Sequence, residues 1–426
     1  MKSFANYGHN WSFAPARVEH PETVAALQDI VRRATKVRVM GARHSWSKGI
    51  VTTDTLVSLD RMNRILQVDE SSLRVTVQGG IRLRALIDAL DARGLALANV
   101  GSIDRQSLAG ALATGTHGTG LGFQCLAAQV ENLKLIDGRG NERTLRKTDD
   151  AFQAAAVGLG CLGVVHEVTL AVVPSFQMHA ITETMRFDDL LGDLEALVRD
   201  HDHFKFWWCV PGERVIVFKN KRSHAPRDDS DLTRWFRDDF LAVFVYRALV
   251  ALGKVDRARL IPPINRALTN VVGKRFDRIC KSHVGFLTPV PPVHRETEWA
   301  FDYRGARELL SRYRDHLVGS GHTFNFVQEV RFTHADSFWL SPSYGRDSVW
   351  LSLYNMDADA RWNDQVRGFE AFARQNGGRP HWGKEATFDP MYLRTQFENI
   401  DTFHEVMREH DPDGTFVNDW VARVFA

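Results

Sequence analysis

The sequence predicts an α+β protein with two domains. Between residues 22 and 174, short segments of alternating apolar and polar residues, typical of half-buried strands, are interleaved with amphipathic helical segments. A run of small and hydroxyl-bearing residues at 99–120 has apolar periodic segments on both sides, which a flexible linker would not have. The pattern changes after Pro174, and 426 residues exceed the size of one ordinary domain. We therefore expect the first domain to end near Pro174.

The first domain begins with a predicted helix over Glu22–Ala34, because Val24, Leu27, Ile30 and Val31 recur at helical spacing. An alternating strand follows directly and leads to His44. The next predicted elements are strands at Leu56–Leu59, Leu66–Val68 and Leu73–Val77, and a helix over Leu83–Ala92 that closes on Gly94.

A hairpin is predicted next, from Val130–Ile136 and Asn141–Leu145 around the turn sequence Asp-Gly-Arg-Gly. A helix over Ala151–Val157 should end at Gly158. The strand Val164–Leu170 then closes the domain.

Beyond Pro174 the predicted elements are a helix over Phe187–Val198, strands at Phe204–Cys209 and Arg214–Phe218, and a polar loop over Arg222–Asp231. His201 and His203 flank Asp202, a spacing that a metal site could use. Two histidines in a charged loop are more often solvated, so the sequence predicts no metal site.

Composition excludes several classes of protein. A formal net charge of +2 argues against a nucleic-acid-binding protein. Cys125, Cys161, Cys209 and Cys280 show no Cys-x-x-Cys spacing, so free thiols in a reducing compartment are favoured over disulfides or a zinc site. The first residues lack the apolar segment of a signal peptide. These features predict a cytoplasmic protein.

The stretch from Val37 to Trp46 is the first candidate for function. Val37 and Val39 alternate with polar residues as in a half-buried strand, and Gly41 gives the backbone freedom for a tight turn against a bulky ligand. His44 follows the turn. Taken alone, this pattern also fits a histidine of the core or of a turn.

The segment 99–120 is the second candidate. Its small residues let backbone N–H groups approach a diphosphate, and its Ser and Thr hydroxyls can complete the hydrogen bonds. It contains neither the Gly-x-Gly-x-x-Gly pattern of dinucleotide-binding loops nor the Gly-Lys-Ser/Thr pattern of nucleotide triphosphatases. The composition predicts a phosphate cradle of another type.

Four motifs occur in one order: Gly-Ala-Arg-His-Ser around His44, residues 101–120, Leu-Gly-Cys-Leu-Gly-Val-Val at 159–165, and Arg-Pro-His-Trp-Gly-Lys at 379–384. Together they resemble the aldonolactone oxidase and alditol oxidase branch of the vanillyl-alcohol-oxidase-type flavoproteins, from about Asn10 to the last residues. The resemblance implies a two-part FAD-binding domain of the PCMH type, at residues 1–174 with a returning segment at 379–426. It also implies an α+β substrate (cap) domain at residues 175–378.

The resemblance implies FAD as the cofactor, covalently attached to His44 through the 8α-methyl group of the isoalloxazine. The cofactor-binding positions that it implies are Met40, Gly41, Ala42, Arg43, His44, Ser45, Trp46, Gly101, Ser102, Ser107, Gly110, Thr114, Gly115, Thr116, His117 and Val165.

Glu329 and Arg331 form the second chemical cluster. On a strand over Phe326–Thr333 they point to one side while Val330 points to the other. The pattern alone fits either a solvated ion pair or a functional pair. The resemblance implies that both lie in the substrate pocket and that Lys384 lies at the flavin and substrate, where its charge can stabilise developing negative charge.

The resemblance also implies the reaction and the remaining substrate contacts, Ser102 and Tyr354. The proton of the substrate hydroxyl is drawn off within the network of Glu329, Arg331 and Lys384, and hydride passes to flavin N5. Alditol oxidases have a threonine at the position that best matches Tyr354. This departure favours an aldono-1,4-lactone over a polyol such as xylitol or sorbitol.

The final electron acceptor is predicted from Gly101. In the family this residue lies near the flavin carbon that oxygen must reach, and a residue without a side chain leaves room for a diatomic molecule. Oxygen, giving hydrogen peroxide, is therefore the expected acceptor. The alternatives are a dehydrogenase with another acceptor and a glycine that serves only the turn before Ser102.

Residues 240–252 form the most apolar run and have basic residues on both sides. The run is too short to span a bilayer, which needs ~20 apolar residues. A buried or capping helix and a helix lying on a membrane surface both fit, and the resemblance to membrane-associated gulonolactone oxidases makes peripheral contact an expectation.

A flavin-binding protein without turnover is the alternative of another class. Such a protein would keep the cradle at 107–118 but would have no need of Glu329, Arg331 and Lys384 together. All three are present.

Overall fold

The computed structural model describes residues 2–230, 256–288, 293–356 and 360–425. A three-stranded parallel sheet, in the order Arg17–Glu19, Thr55–Ser58 and Val37–Met40, supports the loop of His44. The helix Val24–Arg33 buries its apolar face in the core beside this sheet. Thr23 caps this helix, because its side chain accepts a hydrogen bond from the amide of Ala26 at 3.2 Å.

A five-stranded antiparallel sheet completes the first body of the fold. Its order is Glu142–Arg146, Val130–Ile136, Val164–Ala171, Arg74–Gln78 and Ile65–Asp69. The helices Leu83–Asp91, Leu108–Ala113 and Asp150–Ala155 contribute apolar side chains to the same core. Short elements flank it: the strands Phe4–Ala5 with Ser12–Phe13, the strands Leu95–Ala96 with Val173–Pro174, and the 3-10 turn Leu126–Gln129. The predicted helices, strands and hairpin of residues 22–174 are confirmed to within two residues at their ends.

An eight-stranded antiparallel sheet forms the second body. Its order is Phe276–Lys281, Gln177–Arg186, Arg214–Ser223, His203–Trp208, Gln328–Thr333, Ser348–Asn355, Arg295–Asp302 and Arg379–Pro380. One face packs on the helices Phe187–Arg199, Ala306–Gly319 and Ala360–Gln375, and the 3-10 turn Tyr303–Gly305 precedes the second of these. The helices Arg257–Val272 and Ser282–Phe286 lie elsewhere on the sheet.

The last segment crosses back to the first body. The strand Arg379–Pro380 is the edge of the large sheet, whereas Trp382 and the residues after it pack in the first core. That packing comes from the helices Pro390–Gln396, Ile400–His410 and Asp419–Val424. On these contacts we propose the domain boundaries 1–174, 175–378 and 379–426.

Two predictions for the second domain are wrong in detail. The strand from Arg214 continues to Ser223, because its residues pair with Gln177–Arg186, so Arg222 belongs to a strand and not to a loop. His203 is buried on a strand, where its ring stacks on Phe123 with centroids 4.4 Å apart. Aromatic residues distant in the sequence bury this histidine, and no local sequence pattern indicates that contact.

The segment 240–252 lies outside the described residues, so its predicted role stays a prediction. Among the helices of the described part of the chain, none has the length and apolar character to cross a membrane.

Candidate active site

The loop after Val37–Met40 carries His44 to the mouth of a long cavity. Gly41 packs closely there, because a Cβ atom at this position would lie 2.3 Å from Ser107 Oγ and would force that hydroxyl to move. The ring of Tyr7 lies 5.0 Å from the ring of His44. Burial, together with the charges of Arg82 and Lys384, lowers the pKa of His44 to about 4. The imidazole is therefore neutral at pH 7 and keeps a lone pair for bond formation.

Two adjoining cavities meet at His44, Ser45, Gln106 and Thr114. The first is lined by most of the predicted cofactor-binding residues, namely Met40, Gly41, Ala42, Arg43, His44, Ser45, Ser107, Gly110, Thr114 and Val165. The second contains the predicted positions Trp46, Gly101, Ser102, Thr116 and His117, together with Glu329, Arg331, Tyr354 and Lys384. Gly115 borders neither cavity and serves a turn, with φ of 71°.

The first cavity fits a dinucleotide with a diphosphate. Arg82 lines it, and the Nη1 atom of Arg82 is enclosed without a hydrogen-bond partner in the part of the chain described. Gln106 Oε1 at the junction is enclosed and unpaired in the same way. A guanidinium with a free donor suits a phosphate group, and an amide oxygen suits a ring N–H. The adjacent Gly79 and Gly80 have no room for a side chain, so backbone forms the wall.

Glu329 is held by donors from the neighbouring strand. It lies opposite Trp207 in the register, and its Oε1 atom accepts hydrogen bonds from Lys205 Nζ at 2.8 Å and from Trp207 Nε1 at 2.9 Å. Its Oε2 atom lies 3.4 Å from the hydroxyl of Tyr354 and 3.4 Å from Arg331 Nε. Burial raises the pKa of Glu329, but the charges of Lys205 and Arg331 and the bonds to Oε1 outweigh it and lower this pKa to about 2.

Arg331 shares its face with Glu329, as the alternation predicts, and both side chains are buried. Its Nη2 atom donates to Glu298 Oε1 at 2.5 Å, and its Nη1 atom donates to the carbonyl of His117 at 3.2 Å. Burial lowers the pKa of Arg331, but the carboxylates of Glu298 and Glu329 raise it further, so the guanidinium stays charged.

Lys384 enters the same cavity from the returning segment. Its ammonium pairs with Glu296, lies 4.0 Å from Glu298 Oε2, and lies 4.7 Å from the centre of the Trp46 ring. Lys205, Glu329, Arg331, Glu298, Lys384 and Glu296 therefore form a row of alternating charges, three positive and three negative. The cavity floor combines strong fields with almost no net charge.

Two histidines complete the floor. His117 stacks on Trp350 with centroids 3.7 Å apart, and burial lowers the pKa of both His117 and His381, so both rings are neutral. Ligand atoms of His117, His381 and Glu298 lie within 4.8 Å of one another. The guanidinium of Arg331 already occupies the side of Glu298 that a cation would need, and we assign no metal.

The sequence analysis missed Glu296, Glu298, Lys205 and Trp207. The strand Arg295–Asp302 places Glu296 and Glu298 on one face, so two carboxylates at alternating positions of a strand were the available signal. Lys205 and Trp207 alternate in the same way on His203–Trp208.

The second cavity also has apolar lining residues. They are Ile216, Leu268, Val272, Phe326 and Val327. A ligand would thus be held by both charged groups and apolar contacts.

Sequence profiles of two known families match this chain. Residues 15–146 match an FAD binding domain, and residues 168–424 match D-arabinono-1,4-lactone oxidase. With the fold and the two joined cavities, this defines an FAD-dependent oxidoreductase of the vanillyl-alcohol-oxidase type. The chain belongs to the D-arabinono-1,4-lactone oxidase family, in the aldonolactone oxidase and alditol oxidase branch.

Relatives match over almost the whole chain. An L-gulonolactone oxidase of Scyliorhinus torazame is 31% identical, covering 99% of this chain and 98% of its own. An L-gulono-1,4-lactone dehydrogenase of Mycobacterium tuberculosis is 33% identical, covering 96% of each chain. An alditol oxidase of Streptomyces sp. is 29% identical, covering 97% of this chain and 96% of its own.

The solved structure of a cholesterol oxidase from Brevibacterium sterolicum superposes with a TM-score of 0.84 at 16% identity. It covers 100% of this chain and 97% of the other. At that identity the likeness is one of fold. The predicted FAD cofactor, fold class and family are confirmed.

Proposed function

We propose that this enzyme oxidises a secondary or primary alcohol group of a sugar-derived substrate, with an aldono-1,4-lactone as the first candidate. The observation that carries the proposal is the convergence of Glu329, Arg331 and Lys384 on a cavity that joins the His44 cavity. These residues come from two distant parts of the sequence, and a protein that only stored the flavin would not need this row of buried charges.

Each residue has a role that its contacts support. Glu329 accepts a hydrogen bond from the substrate hydroxyl and takes its proton, while Arg331 and Lys384 stabilise the negative charge that develops on the substrate oxygen during this transfer. Ser102 and Tyr354 border the second cavity and orient the lactone ring of the substrate. FAD, held by the residues that line the first cavity, would supply the acceptor for the hydride. Binding and orientation are the protein's main contribution.

An alditol is the second candidate, and one relative carries that name. Tyr354 weighs against it, because this bulky phenol is buried and its hydroxyl lies 3.4 Å from Glu329 Oε2. A phenol ring there shortens the space for an extended polyol and offers a flat surface to a lactone ring.

Anaerobic flavin bleaching tests the proposal. The holoenzyme would be mixed with a panel of aldono-1,4-lactones and alditols, and the flavin absorbance followed. We expect a lactone to bleach the flavin fastest. Faster bleaching by xylitol or sorbitol would replace the lactone by a polyol, and no bleaching by any member would support a protein that only binds flavin.

We propose oxygen as the electron acceptor, with hydrogen peroxide as product. Gly101 borders the second cavity, and a Cβ atom there would lie 3.0 Å from Thr116 Cγ2. Gly101→Ala should slow reoxidation of the reduced enzyme by about tenfold, which corresponds to ~1.4 kcal/mol. Stopped-flow mixing with air-saturated buffer and a peroxide assay would measure it.

The control for Gly101→Ala is the double variant with Thr116→Ser. Serine lacks the crowded Cγ2 atom but keeps the hydroxyl that accepts from Gln106 Nε2 at 3.0 Å. If the added methyl blocks a passage, reoxidation stays slow in the double variant. A return of the reoxidation rate to the wild-type value in the double variant would show that crowding against Thr116 Cγ2 caused the slow reoxidation. Slow reoxidation of the wild type beside fast turnover with a dye or cytochrome would make the enzyme a dehydrogenase.

A cytoplasmic location and peripheral membrane contact through residues 240–252 complete the proposal. The location is inferred from the composition and the cysteine pattern, and the membrane contact from the apolar run and the family resemblance.

A further inference from the structure

The strand His203–Trp208 separates two environments. Phe204, Phe206 and Trp208 point into the apolar core, whereas Lys205 and Trp207 point the other way, toward Glu329. Trp207 borders the substrate cavity, and Lys205 lies behind it and does not. Lys205 is therefore a buried cation with no direct access to a ligand.

The surroundings of Lys205 fix its position. Its ammonium lies 5.2 Å from the ring centres of both Trp207 and Phe218, and its side chain is 9% exposed. Burial of an unpaired ammonium is costly, and aromatic faces offset only part of that cost. The carboxylate of Glu329 is the anion that compensates it, at 2.8 Å.

The bonds to Glu329 are unequal. Lys205 and Trp207 both donate to Oε1 at normal hydrogen-bond distance, whereas Tyr354 and Arg331 approach Oε2 only to 3.4 Å. Oε1 is thus fully engaged away from the cavity. Oε2 is the atom that keeps capacity for a further donor, and a substrate hydroxyl is such a donor.

We propose that Lys205 is a positioning residue for the oxidation: clamped by Trp207 and Phe218, it holds Glu329 ionised and turned so that Oε2 accepts the hydrogen bond of the substrate hydroxyl. This inference rests on the proposed function. It adds a residue that does not touch the substrate and assigns Glu329 the role of a fixed acceptor.

The groups that face Glu329 determine in which direction its pKa changes when Lys205 is removed. They are Lys205 and Trp207 on one neighbouring strand, Arg331 on its own strand, and Tyr354 on the other neighbouring strand. Glu296 and Glu298 act on it through Arg331 and Tyr354. Burial raises the pKa of Glu329, and the charge of Lys205 is the largest opposing cause. Without that cation the pKa must rise, so the acceptor becomes protonated as the pH falls.

The experiment compares Lys205→Met, Lys205→Arg and a matched control. Lys219→Met removes a lysine from the adjacent strand that pairs with Glu183 outside the cavity, with side chains 18% and 23% exposed. In the holoenzyme, the acid limb of kcat/KM against pH should move upward by about one pH unit or more in Lys205→Met, which is ~1.4 kcal/mol per unit. Lys205→Arg should restore most of the wild-type pH profile. The profile of Lys219→Met should match that of the wild type.

A wild-type pH profile in folded Lys205→Met would overturn the proposal, and so would an equal shift in Lys219→Met. If Lys205→Met does not fold well enough for kinetics, melting temperatures test the same link. Glu329→Gln has no charge to compensate, so Lys205→Met should lower the melting temperature less in that background than in the wild type. Additive losses of stability would also overturn the link. This comparison of single and double variants needs no substrate. It can therefore test the link between Lys205 and Glu329 even if the proposed function is wrong.

Discussion

Arg331→Ala should slow anaerobic reduction of the flavin by about 10²–10³-fold, the usual cost of losing one donor that stabilises a developing oxyanion. The guanidinium is buried and lies between Glu298 and Glu329, so no water replaces it at low cost. Its loss also removes a close cation from Glu298, which keeps the neutral ring of His117 at 3.5 Å and the ammonium of Lys384 at 4.0 Å. Glu329→Gln should slow the same step by orders of magnitude, because the amide keeps the shape of the acceptor and loses its charge.

The control is another partly buried arginine of the same sheet region. Arg346 donates to the carbonyls of Ala300 at 3.0 Å and Gly377 at 3.1 Å, outside the cavity. Arg346→Ala should affect stability and leave the rate of flavin reduction close to that of the wild type. Stopped-flow reduction, flavin content and melting temperature would be recorded for all variants. Reduction at the wild-type rate in both Arg331→Ala and Glu329→Gln would remove this pair from the active site.

His44→Ala should release all the FAD on acid precipitation, whereas the wild-type pellet should stay yellow. We propose a covalent bond from His44 to the flavin, because the neutral imidazole borders both cavities at their junction. The protein contacts along the first cavity remain in the variant, so it should still bind FAD in its native state. Absorbance of the pellet and the supernatant gives the result directly.

The matched control is His334→Ala, because His334 is half-exposed and pairs with Asp347 at 2.7 Å. Its flavin should stay in the pellet. Flavin in the wild-type supernatant would show that the bond does not exist.

The helices and strands of the first domain were predictable from local periodicity. The hairpin of residues 130–146 and the helix at Leu83 are specified by neighbouring residues, by turn chemistry and by an apolar stripe, so sequence alone located them. The shared face of Glu329 and Arg331 was predictable for the same reason, since alternation on one strand needs no knowledge of its partners.

The partners of this pair were not predictable. Lys205 meets Glu329 only because the strand His203–Trp208 pairs with Gln328–Thr333 in one particular register, across more than a hundred residues of chain. A shift by one residue would turn Lys205 to the apolar core. Glu298 likewise depends on the order of strands in the large sheet, which no local pattern specifies. Their burial, and with it their function, is a property of the tertiary fold.

The return of the chain to its first body has a consequence for biosynthesis. Arg38 donates to the carbonyl of Phe416, 378 residues later, and the amide of Trp46 donates to the carbonyl of Gly383 at 2.7 Å. The loop of His44 therefore cannot complete its packing during translation until the segment after residue 379 has left the ribosome. Contacts of such long sequence separation form slowly. The flavin site should therefore mature only once residues 383–416 have emerged, so a nascent polypeptide that lacks them carries an incomplete site.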